Sequence, residues 1–109
     1  MSDIIEKLYL VLQDRRTADP AESYVASLHK AGLNKILEKV GEEATETIIA
    51  AKDATALTDV DEVIKETADL WFHTLVMLDH LDIKPERIMT ELESRFGTSG
   101  HVEKESRNK

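Results

Sequence analysis

Residues 33–80 read LNKILEKVGEEATETIIAAKDATALTDVDEVIKETADLWFHTLVMLDH, and the architecture turns on how this stretch divides. Leu33, Ile36, Leu37, Val40, Ala44, Ile48 and Ala51 recur every three or four residues. That is the period of a helix with one apolar face, and it predicts a helix over about 33–52. A second series, Val63, Ile64, Leu70, Trp71, Leu75 and Leu78, predicts another over about 60–81. Between them lies DATALT, followed by Asp59 and Glu62 in the spacing of a capping box. Two long helices joined by a short connection fold back as an antiparallel hairpin. Gly41 interrupts the first helix at a cost of about 0.5–1 kcal/mol relative to Ala. It suggests the close approach of a backbone or ligand, or a tight helix crossing.

The flanks are also helical. Ile4, Ile5, Leu8, Val11 and Leu12 predict a helix over about 4–14, with Asp3 and Glu6 as a capping pair. Asp19, Pro20 and Glu22 read as a helix start. A short helix from there to Ala31 would stop at Gly32. A last helix should begin at Pro85, end near Phe96 and stop at Gly97. The remainder, TSGHVEKESRNK, has almost no apolar residues and cannot contribute to a core. The chain therefore divides into a domain over 1–96 and a tail over 97–109. The fold class is all-α, a bundle of four to five helices with the hairpin at its centre. The core is small enough that two chains would share it.

Composition narrows the function. The chain has 109 residues, the size of one domain, and is 41% hydrophobic but only 5% aromatic. Aliphatic residues must fill the core, as in a helical bundle. There is no Cys, hence no disulfide framework or thiolate metal site. The first residues carry acids where a signal peptide carries bases, and no apolar run approaches a membrane span. A cytoplasmic protein with no membrane partner is expected. Its 22 acids against 14 Lys and Arg disfavour nucleic acid as a partner. A phosphorylated small molecule stays compatible if a cation lies between the like charges.

The acids themselves are placed with symmetry. Glu43 and Glu46 are three apart, as are Glu66 and Asp69, so each pair shares a helix face. Position 56 is midway between Glu46 and Glu66, and also midway between Glu43 and Asp69. In a hairpin folded about that point the four carboxylates lie level. Two unit charges 4 Å apart repel by about 4 kcal/mol at an effective dielectric of 20. Ionised carboxylates that close must take up protons or bind a cation. An all-oxygen site selects a hard ion, Mg²⁺ or Mn²⁺.

The pattern E-x-x-E, 19 residues, E-x-x-D resembles the metal signature of the all-α, MazG-like nucleoside triphosphate pyrophosphatases. SYVASLHKAGLNKILEKVGEEATETIIAAK, ETADLWFHTLVML and RFGTSGHVEKESR are similar to the phosphoribosyl-ATP pyrophosphatase family. The resemblance spans about 4–107. It implies Mg²⁺-dependent hydrolysis of phosphoribosyl-ATP to phosphoribosyl-AMP and pyrophosphate, the second step of histidine biosynthesis, by a homodimer. Carried over by motif, Glu43, Glu46, Glu66 and Asp69 become the metal ligands. Glu42 becomes a further ligand or the base, and Glu43 and Glu46 are the other candidates for the base.

Lys30, Lys35 and Lys39 flank the acidic block as candidate phosphate contacts, although Lys39 is also spaced to pair with Glu43. Arg95, Ser99, Gly100 and Lys104 offer a charged, glycine-rich cap for phosphates. His73 follows Asp69 by one turn, on the acidic face, and is expected in packing, in a dimer contact or behind the site. Three rival readings use the same residues. A house-cleaning nucleoside triphosphate pyrophosphatase would share the carboxylates but not the tail. A di-iron bundle would want E-x-x-H motifs, which are not here. A non-enzymatic acidic adaptor for a basic partner would not depend on a divalent metal.

Overall fold

The computed structural model describes residues 2–54 and 60–96. They form α1 (Ser2–Arg15), α2 (Tyr24–Ala31), α3 (Leu33–Asp53), α4 (Val60–His80) and α5 (Pro85–Glu93). No strand occurs among the described residues. α3 and α4 are the most extensively packed pair. Ile36, near the start of α3, shares a core with Leu75, Val76 and Leu78 near the end of α4. Glu46 and Glu66 meet nearer the other end. The pair is thus antiparallel, as the spacing about position 56 predicts. No helix among the described residues is long and apolar enough to cross a membrane.

The turns follow from local chemistry. Gly32 closes α2 and opens α3 at φ 104°, a backbone conformation in which a side chain would be strained. α4 ends in a Schellman arrangement. The N–H of Ile83 donates to the carbonyl of Leu78 at 2.8 Å, and that of Asp82 to Asp79 at 3.0 Å. Asp82 takes the left-handed position at φ 59°, and Ile83 packs back onto the core. Pro85 opens α5 and is buried, which suits a residue with no N–H to satisfy.

Leu12, Val25, Leu28, Ile36, Leu75, Val76 and Leu78 form the core. Full burial of such side chains contributes about 1.5–3 kcal/mol each. They come from α1, α2, the first turns of α3 and the last turns of α4, so the core occupies one half of the hairpin. The other half is thinly covered. Ile48 and Ile49 on α3, and Val60 and Ile64 on α4, stay exposed.

Four expectations change. The buried row of α3 is Ile36, Glu43 and Ala50, seven residues apart, while Leu37, Ile48 and Ala51 face solvent. The seven-residue row is the seam that faces α4, and the wider apolar stripe of the sequence straddles it. On α4, Ile64 and Trp71 are likewise exposed. The start signal at Asp19 forms one capped turn, with Asp19 Oδ1 accepting from the Ala21 N–H at 3.0 Å. The helix begins only after Ser23, whose Oγ accepts from the Ala26 N–H at 3.2 Å. α5 ends at Glu93, and tighter turns carry the chain through Phe96. Beyond its own stretch of helix, a Cβ on Gly41 would meet no atom of the described residues within 4 Å, so no close crossing by another described helix explains it. The predicted cap at Asp59, the stop at Gly97 and the tail lie outside the described residues.

Candidate active site

Glu43 and Glu46 are one turn apart on α3, and Glu66 faces them from α4. One carboxylate oxygen from each lies within 4.8 Å of the others. Glu43 is only 7% exposed, held in the seam by the same register that buries Ile36 and Ala50. With the carboxylates ionised, Oε2 of Glu43 and Oε2 of Glu66 are shut off from solvent and receive no donor. Buried polar atoms are nearly always satisfied, so two orphans in one cluster point to an occupant that supplies positive charge.

The electrostatics agree. Burial raises the Glu43 carboxyl first, followed by a hydrogen bond with Glu46 and the charges of Glu46 and Asp69. Glu66 is pushed up to about 7, first by a hydrogen bond with Glu46, then by burial and the Glu46 charge. A further hydrogen bond, donated by protonated Glu66 to Glu62, and the charge of Glu43 add to it. The metal-free cluster thus holds protons that ordinary glutamates have lost by neutral pH. An open cleft of about 450 Å³ leads to it, lined by Glu46, Ile49, Ala50, Asp53, Glu62 and Glu66.

The other candidate residues take different places. Asp69 is outside the group of three, on the exposed side of α4 one turn beyond Glu66. Its backbone carbonyl accepts from His73 Nδ1 at 2.8 Å. Glu42 points away from the seam and pairs with Lys39 at 3.0 Å. That hydrogen bond lowers the Glu42 carboxyl and raises the Lys39 ammonium. Lys39 therefore pairs with Glu42 three residues on, where the spacing also allowed Glu43. Lys35 pairs with Glu38 at 3.6 Å, and Lys30 is exposed in the last turn of α2. Arg95 is half-buried and donates through Nε to Glu91 at 3.2 Å. Ser99, Gly100 and Lys104 lie outside the described residues.

Two residues enter that sequence reasoning passed over. Glu62 extends the cluster one turn from Glu66, a spacing visible in the sequence but read there as a cap. Tyr24 stands at its edge, with its hydroxyl 2.8 Å from His73 Nε2. Lys39, Glu43, Glu42 and Asp69 are all near enough for their charges to act on that hydroxyl. No local pattern marks Tyr24, because its partner is 49 residues away.

An antiparallel helix pair carrying an oxygen-only acid cluster suits chemistry on a phosphorylated substrate. The family model described as phosphoribosyl-ATP pyrophosphohydrolase matches residues 5–96, most of the 109-residue chain. With that match the hairpin and its acids have a family: the chain belongs to the phosphoribosyl-ATP pyrophosphohydrolases, hydrolases of histidine biosynthesis.

Proposed function

We propose that this chain hydrolyses phosphoribosyl-ATP to phosphoribosyl-AMP and pyrophosphate with Mg²⁺, or Mn²⁺ in its place. The observation that carries the reading is the pair of orphaned, buried oxygens of Glu43 and Glu66 facing Glu46. The donor set fits a hard divalent cation, because it offers only oxygens and its members repel one another when ionised. Glu43, Glu46 and Glu66 would hold the ion, with Asp69 joining from the next turn of α4. When bound, such an ion polarises phosphoryl oxygens and makes a water more acidic.

The protein's own residues do the rest. A carboxylate at the rim takes the proton of the attacking water, a contribution of about 10²–10⁴-fold. Glu46 is the best placed of the three candidates, being exposed while its neighbours are covered. Glu43 is buried in the seam, and Glu42 is engaged by Lys39. Lys39 sits beside the cluster with its ammonium kept charged, where it can meet substrate phosphates. Lys30, Lys35 and Arg95 are more distant candidates for that contact.

A homodimer belongs to this reading. Ile48 and Ile64 are each 60% exposed on the half of the hairpin that carries the acids. A second copy laid on that half would bury them and wall the cleft. Light scattering on the purified chain checks it. The activity itself is tested by pyrophosphate release from phosphoribosyl-ATP, with and without Mg²⁺, against a panel of deoxynucleoside triphosphates. Wild type should turn over phosphoribosyl-ATP only with the metal. Glu46→Gln should lose about 10²–10⁴-fold in turnover while staying folded. Wild-type turnover by that variant removes Glu46 as the base.

A further inference from the structure

Tyr24 combines two properties that rarely occur together. Its side chain is 51% exposed, yet its hydroxyl is tied to a buried imidazole. His73 is 6% exposed, and its Nδ1 lies 2.8 Å from the Asp69 carbonyl oxygen. A carbonyl only accepts, so Nδ1 carries the proton. In the neutral ring Nε2 then accepts, and the Tyr24 hydroxyl donates to it. The two rings meet edge to face, 5.8 Å apart at 86°. Phe72 braces the imidazole at 5.3 Å and 76°. Tyr24 is thus a bare aromatic face whose orientation is set before anything binds.

That face borders a cleft of about 390 Å³ between the end of α1 and the start of α2, outside the acid cluster. Arg15, Asp19, Glu22, Val25 and Phe72 line it with Tyr24. Two acids against one base make it unfriendly to phosphate and suited to a ring that offers N–H donors. The far edge of the ring carries the hydroxyl, which lies within the field of Lys39 and Glu43. A ligand resting on the ring in this cleft would direct its phosphates past that hydroxyl toward the acids.

We propose that the Tyr24 cleft takes the purine base of the nucleotide, stacked on the Tyr24 ring, with His73 as the residue that positions the ring. This rests on the nucleotide reading of the substrate given above. Stacking on a ring already ordered avoids the cost of fixing a mobile side chain on binding.

Calorimetric binding to the full chain in Mg²⁺ tests this with two probes that the proposed reaction does not consume. α,β-Methylene-ATP carries base, ribose and phosphates; tripolyphosphate carries phosphates alone. Tyr24→Leu should weaken the nucleotide about tenfold and leave tripolyphosphate unchanged. Tyr24→Phe keeps the ring but frees it from His73, so its loss should be smaller and again confined to the nucleotide. His73→Gln, which retains an acceptor, should bind as wild type. His73→Ala should match Tyr24→Phe and add nothing when combined with it. Equal losses for both probes, an unaltered nucleotide affinity in Tyr24→Leu, or no binding of α,β-methylene-ATP by wild type would overturn the proposal. Failure of wild type to hydrolyse phosphoribosyl-ATP would sink the assigned activity instead, since neither probe depends on turnover.

Discussion

Near the C-terminal end of α4, Asp79 is 1% exposed, and Arg16 and His29 converge on it. The Arg16 guanidinium stands 3.7 Å from Oδ1 and also donates to the Asp79 carbonyl oxygen at 2.9 Å. His29 Nε2 faces Oδ2 at 3.4 Å, and His29 Nδ1 lies 2.8 Å from His80 Nδ1. When His80 donates to His29, the His29 proton is left on Nε2, toward Asp79, although the buried Nε2 and Oδ2 atoms approach without forming a hydrogen bond. Four turns or so back along the hairpin, Glu66 meets Glu46 and Glu43, and the nearby Lys39 pairs with Glu42 instead. Both clusters are built on an acid of α4. Asp79 has a guanidinium of this chain within ion-pair distance, whereas the three glutamates, on the reading proposed above, are left for an ion from outside. The first links the end of α1, α2 and α4; the second is the proposed binding site.

The largest test of this contrast is Glu66→Gln. It should lower phosphoribosyl-ATP turnover on the order of a hundredfold or more by removing a candidate metal ligand. In metal-free buffer it should raise the melting temperature, because a crowded acid is gone, and it should abolish the rise that Mg²⁺ gives wild type. A lower melting temperature in metal-free buffer would mean that the acid cluster stabilises the fold by itself, and the contrast would fail. Asp79→Ala is the mirror experiment. It strips a buried network of its only carboxylate and should cost about 3 kcal/mol by chemical denaturation, at the low end for a broken buried pair. Arg16 is half-exposed and can turn to water, which limits the loss. Turnover per folded molecule should hold.

The pH dependence separates Glu66 from His29 by sign. Glu66 is raised in the folded state, so between about 4.5 and 7 the native protein holds more proton than the unfolded chain. Metal-free stability contributed by Glu66 is full below that window and lost as pH rises through it. His29 is lowered from 6.5 by burial, so stability is lost as pH falls below 6.5 and the unfolded chain takes the proton first. Asp79, raised from 3.8 by burial, acts in the same sense as Glu66 but from a lower start. Melting curves of Glu66→Gln from pH 5 to 8 should lose the decline on the alkaline side and keep the acid limb. Saturating Mg²⁺ should remove the alkaline decline from wild type as well.

The smallest effect belongs to Gly41, which is exposed and would meet nothing if given a Cβ. Gly41→Ala should stabilise α3 by about 0.5–1 kcal/mol in thermal or urea unfolding. A drop in substrate affinity without that gain would show that a ligand needs the space beside the Lys39–Glu42 pair.

The sequence made the binding cluster far more legible than the structural one. Glu46 and Glu66 could be brought together by counting from position 56, because a hairpin converts sequence symmetry into height. Counting gives height and not rotation about the helix. That is why Asp69, three residues past Glu66, reads as level with Glu43 yet falls outside the close group. The apolar stripe of α3 misled for a related reason. Ile48 fits the helical period but lies beside the seven-residue seam of Ile36, Glu43 and Ala50. The Asp79 network could not be counted at all, since His29 and Arg16 are 50 and 63 residues away. One signal was present: Asp79 follows Leu75, Val76 and Leu78 on the buried face of α4. An acid in an apolar row needs a partner from another element, and the helix ends gave no hint which.

On the proposed metal reading, the position of Glu66 near neutrality also makes cation uptake an acid-producing event. A carboxyl titrating at about 7 is half protonated at that pH. An ion that claims its oxygens must expel roughly half a proton from this site alone. The heat of Mg²⁺ binding should therefore vary with the ionisation enthalpy of the buffer, most near neutrality and little at pH 9.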